Sequence, residues 1–211
     1  MKVKLLTVFT DPNVYGLHQL KKSLDKFGWY YDFIQAPQWK GFGTKLISVY
    51  DYLQTSDIDA FFFADAYDVV ALGSMGEALS KLDINKITFS SEKNCWPDSN
   101  LEKYYEPITQ GGFNYLNSGL YFAPKELFMN LFYIDAPMYS SDDQLWATHM
   151  YLFNEKSNIV LDTKQSVFNS HSFIAEGEYG YENGRVQING EQPVLLHLNG
   201  RTQDPKLEEL L

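Results

Sequence analysis

The sequence predicts an α/β domain with a mostly parallel mixed sheet flanked by helices, and three observations carry the prediction. Apolar runs of strand length recur along the chain, stretches with helical spacing separate them, and turn residues stand at the junctions. VKLLTVF, residues 3–9, suits a buried parallel strand. TDPN supplies turn and capping residues, and the next segment sets Val14, Leu17, Leu20 and Leu24 on one helical face with Gly28 as its stop. WYYDFIQ (29–35) reads as an aromatic strand, and Thr44 to Leu53 as the next helix. Residues 59–64 form a strand ending at Asp65, GEALSKL a short helix, and KITFSSE and GLYFA (119–123) two further strands. Asp142 to Phe153 is predicted helical, with Ser141 as cap and two aspartates suited to the macrodipole of its first turn. IVLD (159–162) and PVLLHLNG complete the pattern, and segments 98–115 and 170–192 are expected to be mobile loops.

The 211 residues are 45% hydrophobic and 16% aromatic, enough for one well-cored domain spanning 1–211. A net charge of -10 repels polyanions, which disfavours a nucleic-acid surface and still allows a local basic pocket. The one cysteine, Cys95, permits no intramolecular disulfide and fits a reducing compartment. The apolar run in MKVKLLTVFT is too short for a signal peptide, and nothing approaches the roughly 18 apolar residues of a membrane span. A soluble, cytoplasmic protein of bacterial or viral source is therefore expected, without a membrane partner.

Several residues have the chemistry of a site. In FFFADAYDVV, Asp65 and Asp68 follow an apolar strand, where open α/β sheets gather ligands. A turn after Asp65 can bring both carboxylates to one side and offer hard oxygens to Mn²⁺ or Mg²⁺. By spacing alone, a solvated turn is the plainer account. His197, in LLHLNG, can complete such a site, and imidazole tilts the choice toward Mn²⁺. Asp142 and Asp143 either cap a helix or, with Gln144, bind substrate hydroxyls and act as a base. KGFGTK lacks the P-loop pattern, although Gly41 and Gly43 beside Lys45 can cradle a diphosphate. Cys95 has no neighbouring histidine and reads as a packed thiol.

The succession FFFADAYDVV, FSSEKNCWPD, YLNSGLYFA, SSDDQLWAT, IVLDTKQSVF and LLHLNG resembles the glycosyltransferase domain of the procollagen lysyl hydroxylase family and related collagen-type and viral glycosyltransferases, from about Leu5 to Gly200. The resemblance implies a GT-A type nucleotide-sugar-binding fold, a UDP-sugar donor and Mn²⁺, with Mg²⁺ as the alternative ion. It implies metal ligation by Asp65, Asp68 and His197. Thr7 would meet the nucleoside, Tyr67 the uracil or ribose, and Lys45, Asn199 and Gly200 the diphosphate. Trp96 would face the sugar or acceptor, and Asn117, Asp142, Asp143 and Gln144 would surround the transferred sugar, with Asp143 nearer the chemistry. Three departures touch the acceptor side: Phe42 replaces a small residue, Leu120 follows LNSG where glycine is common, and only two aspartates precede Gln144. The hydroxylase domains of the animal enzymes have no counterpart in this sequence, so lysine hydroxylation is not expected. The expected activity is transfer of glucose or galactose from a UDP-sugar to a hydroxyl of hydroxylysine type, a saccharide or another small acceptor. A non-catalytic UDP-sugar binder and a UDP-sugar hydrolase are the alternatives.

Overall fold

The computed structural model describes residues 1–105, 109, 112–155, 158–172, 174 and 177–200. Its first half runs β1 (Val3–Phe9), α1 (Tyr15–Lys26), β2 (Tyr31–Gln35), α2 (Gly43–Thr55), β3 (Ala60–Ala64), β4 (Val69–Ala71), α3 (Met75–Ser80) and β5 (Ile87–Glu92). A 3-10 turn at Ser99–Tyr104 leads to β6 (Tyr115–Pro124), α4 (Lys125–Ile134) and α5 (Asp143–His149). After a π-helical turn at Met150–Asn154 come β7 (Ile159–Asp162), β8 (Phe168–Ser170), β9 (Tyr179–Glu182), β10 (Arg185–Ile188) and β11 (Leu195–His197).

The main sheet has the order β2-β1-β3-β6-β5-β7. It is mixed: β1 lies parallel to β2 and β3, β7 lies parallel to β5, and β6 runs antiparallel between β3 and β5. The phenylalanines of β3 show how the sheet is covered. Neighbours on a strand point to opposite faces, and here both faces are buried. Phe61 and Phe63 join Val49, Leu53, Phe128 and Trp146 of α2, α4 and α5 in one core. Phe62 joins Leu20 and Leu24 of α1, with Trp29 and Phe168, in the other. Burying each phenylalanine contributes roughly 1.5–3 kcal/mol, so β3 is held firmly from both sides and its end is fixed.

Several local expectations change. Asp11 accepts from the Asn13 amide in a turn, and α1 starts at Val14 without a side-chain cap, so TDPN turns the chain and does not cap the helix. Gly28 does stop α1, with φ 67°. The cap of α5 is Asp142, whose carboxylate accepts from the Leu145 amide; the Ser141 hydroxyl accepts from the Met138 amide instead. Regular α-helix also ends there at His149, earlier than the Phe153 that the spacing predicts.

A smaller sheet, β4-β11-β8, packs beside the main one, and β9 and β10 pair as a hairpin within the segment predicted as a loop. Residues 106–108, 110, 111, 173, 175 and 176 of the two expected loops lie outside the described residues. Arg185 ties the hairpin to α3 through Glu77 at 2.9 Å. Burial resists ionisation of Glu77, but Lys81 and Arg185 outweigh it and lower its pKa from 4.5. Stability from these pairs is therefore complete above pH 4.5 and disappears as pH falls through the lowered folded value. Glu77→Gln is expected to lower Tm by up to about 3 °C at pH 7 and by progressively less as pH falls below 4.5, as thermal denaturation across that range would record.

Candidate active site

Segments far apart in sequence meet beyond the carboxyl ends of β3 and β5. The Asp65 amide donates to the Gly119 carbonyl at 2.9 Å, the chain turns, and Asp68 leads into β4. Pairing of β4 with β11 sets His197 opposite Val69, and the Leu198 amide donates to the Asp68 carbonyl at 2.7 Å. That ladder carries the late histidine to the early aspartates. The turn at 65–68 does what extended backbone cannot, and both carboxylates open on one cavity of about 450 Å³.

The third contribution is a bulge. Along the β5–β6 ladder Phe89 faces Tyr121, but the next residue, Ser90, faces Asn117. The extra β6 residues break the pairing, and Asn117, Ser118 and Gly119 line the cavity as a result. Gly119 is required there: a Cβ would overlap the His197 ring.

The ligand atoms of Asp65, Asp68 and His197 lie within 4.8 Å of one another. His197 Nε2 is 3.3 Å from Asp68 Oδ2 and 3.7 Å from Asp65 Oδ2. The other ring nitrogen, Nδ1, is 3.1 Å from Asn117 Oδ1, which already accepts from the Gly119 amide. An oxygen acting as acceptor assigns a proton to Nδ1, so Nε2, beside the aspartates, is the nitrogen that would ligate an ion in the neutral ring and carries the second proton in the charged one. Two carboxylate oxygens and one imidazole nitrogen, crowded onto a glycine, fit a divalent ion of the Mn²⁺ kind.

Lys45 is buried with its ammonium 2.8 Å from Asp65 Oδ1 and 2.7 Å from Asp143 Oδ2. Burial works against its charge, yet the two carboxylates outweigh burial and raise its pKa. Burial raises Asp65 against the pull of Lys45 and His197. At Asp68 burial is overcome by His197, and its pKa is lowered. For His197 the order is the same: burial disfavours the cation, but Asp68 and Asp65 prevail and raise the pKa. Asp143 also accepts from the Ser118 hydroxyl at 3.0 Å, which anchors the first turn of α5 to the bulge.

Glu92 at the end of β5 organises the opposite wall. It accepts from Asn117 (3.1 Å), Gln144 (2.7 Å) and Asn199 (3.2 Å), and burial raises its pKa against those bonds. Sequence reasoning missed it. The available signal was a carboxylate closing an otherwise strand-like run, as Asp65 closes β3. Gln144 also donates to the Trp96 carbonyl at 3.1 Å, so the CWPD loop is tied to α5.

Among the residues expected from sequence, Asn117, Asp142, Asp143 and Gln144 all line the cavity with the three candidate ligands. So do Lys45, Trp96, Asn199 and Gly200. Thr7 and Tyr67 are not on its wall. Thr7 is fully buried within β1, while the Tyr67 hydroxyl accepts from the amides of Thr10 and Asp11 just past the strand end. The suggested diphosphate cradle is corrected too. A Cβ at Gly41 or Gly43 would strike the carbonyls of Tyr139 and Met138, so these glycines serve packing against residues 138–139. Carbonyl oxygens there repel phosphate.

A mixed sheet flanked by helices, with its cavity beyond the ends of β3 and β5, defines a GT-A-like fold. The crystal structure of a glycosyltransferase involved in the glycosylation of the major capsid of PBCV-1 is similar to it, with TM-score 0.62 over 100% of this chain and 98% of that one at 11% identity. A family model described as the PLOD GT domain matches residues 1–210, and the chain belongs to that family of glycosyltransferase domains. The multifunctional procollagen lysine hydroxylase and glycosyltransferase LH3 of Homo sapiens is 33% identical over 155 residues, covering 67% of this chain and 20% of LH3. Procollagen-lysine,2-oxoglutarate 5-dioxygenase 2 of Mus musculus is 28% identical over 226 residues, 96% of this chain and 30% of the mouse protein. The uncharacterized protein R699 of Acanthamoeba polyphaga mimivirus is 31% identical over 144 residues, 64% of this chain and 30% of R699. The chain thus spans under a third of the length of these relatives. Among the described residues, no helix is long and apolar enough to cross a membrane.

Proposed function

We propose that the domain is a Mn²⁺-dependent hexosyltransferase that moves glucose or galactose from a UDP-sugar to an acceptor hydroxyl. The observation that carries this reading is the convergence of Asp65, Asp68 and His197 on one cavity wall. These residues would hold the ion, whose chemistry when bound is to neutralise charge developing on the diphosphate. Asn117 keeps His197 in the ligating tautomer, and Glu92 keeps Asn117 in place through the amide bond already described. Tyr67, whose hydroxyl sits just past the end of β1, is the candidate for the nucleoside, Thr7 being sealed inside the strand, and Asn199 and Gly200 are the candidates for the diphosphate.

In the transfer, the acceptor oxygen bonds to the anomeric carbon as the bond from that carbon to the diphosphate oxygen breaks. The bonding pair leaves with UDP, and the acceptor proton passes to a carboxylate. Asp143 is the carboxylate proposed to take it or to orient the sugar, using the oxygen opposite the one held by Lys45 and Ser118. Lys45 holds positive charge between Asp65 and Asp143, where it adds to stabilisation of the leaving group.

Incubation with Mn²⁺ and a panel of UDP-sugars, with and without acceptors, tests the reading. Acceptor-dependent UDP release supports transfer, release without acceptor supports hydrolysis, and binding without turnover reduces the domain to a UDP-sugar binder. Asp143→Asn is expected to lower turnover at least about 100-fold, with calorimetric UDP affinity kept within a few-fold. Near-normal turnover in that variant removes the role assigned to Asp143.

A further inference from the structure

Strand β2 is an edge of the main sheet and pairs with β1 on one side only. On that side the Tyr30 carbonyl accepts from the Leu5 amide at 2.8 Å, and the Ala36 amide donates to the Phe9 carbonyl at 2.8 Å. Backbone groups of successive strand residues alternate in direction, so Tyr30, Asp32, Ile34 and Ala36 bond toward β1. Tyr31, Phe33 and Gln35 therefore turn their amides and carbonyls to the open side. Such a row is a template for a further strand unless lysine, proline or a bulge guards it. Residues 31–35 hold no lysine and no proline, and their register with β1 runs without a shift. Their one charged side chain, Asp32, is engaged by Lys4 at 2.6 Å and by the Tyr52 hydroxyl. Tyr30, at the head of the strand, is 73% exposed.

The edge is complementary to itself. Two identical chains in a closed pair meet about a twofold axis, which sets their β2 edges antiparallel. With Phe33 on the axis, Phe33 faces Phe33, Tyr31 faces Gln35, Asp32 faces Ile34 and Tyr30 faces Ala36. Outward groups then meet outward groups, and each facing pair among residues 31, 33 and 35 can exchange both of its hydrogen bonds. Centring the pair one residue earlier sets Asp32 against Asp32, a destabilising contact of like charges. Centring it one residue later sets Tyr31 against Pro37, which has no amide to donate. Only the Phe33 register avoids both. It also extends the aromatic row of Phe9, Phe33 and Tyr31, whose ring centres are 6.4 and 5.0 Å apart.

We propose that two copies of this chain associate through β2, antiparallel about Phe33, and join their main sheets into one. Five residues a side make a small interface, so the dimer is weak, with Kd on the order of 10–100 μM. None of residues 30–36 lines the cavity, and the pairing is independent of the transfer reaction.

Sedimentation of the full chain from about 1 to about 300 μM tests this, in salt of roughly 0.3 M to screen the repulsion between two chains of net charge -10. Monomer should give way to dimer across that range. Ile34→Glu sets a carboxylate against Asp32 of the other copy, whereas Ile34→Lys sets an ammonium there and loses the same packing. Their dimer Kd values should differ about tenfold or more, with the lysine variant tighter. Gln35→Pro removes an outward amide and no bond to β1, and should leave a folded monomer by circular dichroism. A parent chain still monomeric at about 300 μM overturns the inference. So does a dimer that persists in Gln35→Pro, or one that ignores the sign of the charge at position 34. Either the proline variant or the charge pair decides the matter if the other fails to fold.

Discussion

Asp68→Ala is expected to abolish Mn²⁺-dependent binding of UDP, leaving the affinity with Mn²⁺ equal to that in a chelator. Loss of a ligand's supporting hydrogen bond typically costs 10–100-fold in metal affinity, and loss of the ligand itself should exceed about 100-fold. The fold should survive. The Asp68 side chain is partly exposed, and what holds the segment is backbone: its carbonyl accepts from Leu198, and β4 pairs with β11. Circular dichroism and thermal denaturation should match the parent, and titration with UDP should not. Retained Mn²⁺-dependent affinity in the folded variant would remove Asp68 from the site.

Gly119→Ala is the second large effect, and it adds only a methyl group. The new Cβ would overlap Cε1 of the His197 ring, and it cannot be absorbed by a flexible end because His197 is buried and bonded to Asn117. Overpacking of this kind costs about 1–3 kcal/mol, and relief requires the imidazole to leave its place beside Asp65 and Asp68. A fall in Tm together with loss of Mn²⁺-dependent UDP binding is expected. Gly76→Ala is the control. It lies inside α3 with open space around it, and alanine there should be neutral or stabilising by up to about 1 kcal/mol. Equal behaviour of the two variants would show that the fit of Gly119 against His197 carries no weight.

Much of the architecture was legible because its signals are local. The helical spacing of Leu17, Leu20 and Leu24, the stop at Gly28 and the apolar run of β3 act within a few residues of themselves. Strand β6 was read short, from Gly119 onward, because Asn117, Ser118 and Gly119 break the apolar pattern. Those polar residues are buried against Glu92, Asp143 and His197, partners that no local window contains. The β9–β10 hairpin was missed for a related reason: its strands are only four residues each, and the partners that bury Val186 and Ile188, among them Val70 and Leu72, lie far off in sequence, as does the Glu77 that holds Arg185. Ser141 and Asp142 were both eligible caps, and only the path of the chain into α5 chose between them.

By itself, the sequence determined an α/β chain with carboxylates at strand ends, and the order of its motifs pointed to a glycosyltransferase domain. Tertiary structure alone decided that Asp65 and Asp68 face the same way, that His197 reaches them through the β4–β11 ladder, and that Glu92 ties three amides of the wall together. It also moved Gly41 and Gly43 from a phosphate cradle to a packing contact, which leaves Phe42 at the cavity. The reason is physical: propensity and periodicity act over neighbouring residues, whereas a site is made by side chains whose distance in space is set by strand pairing and register.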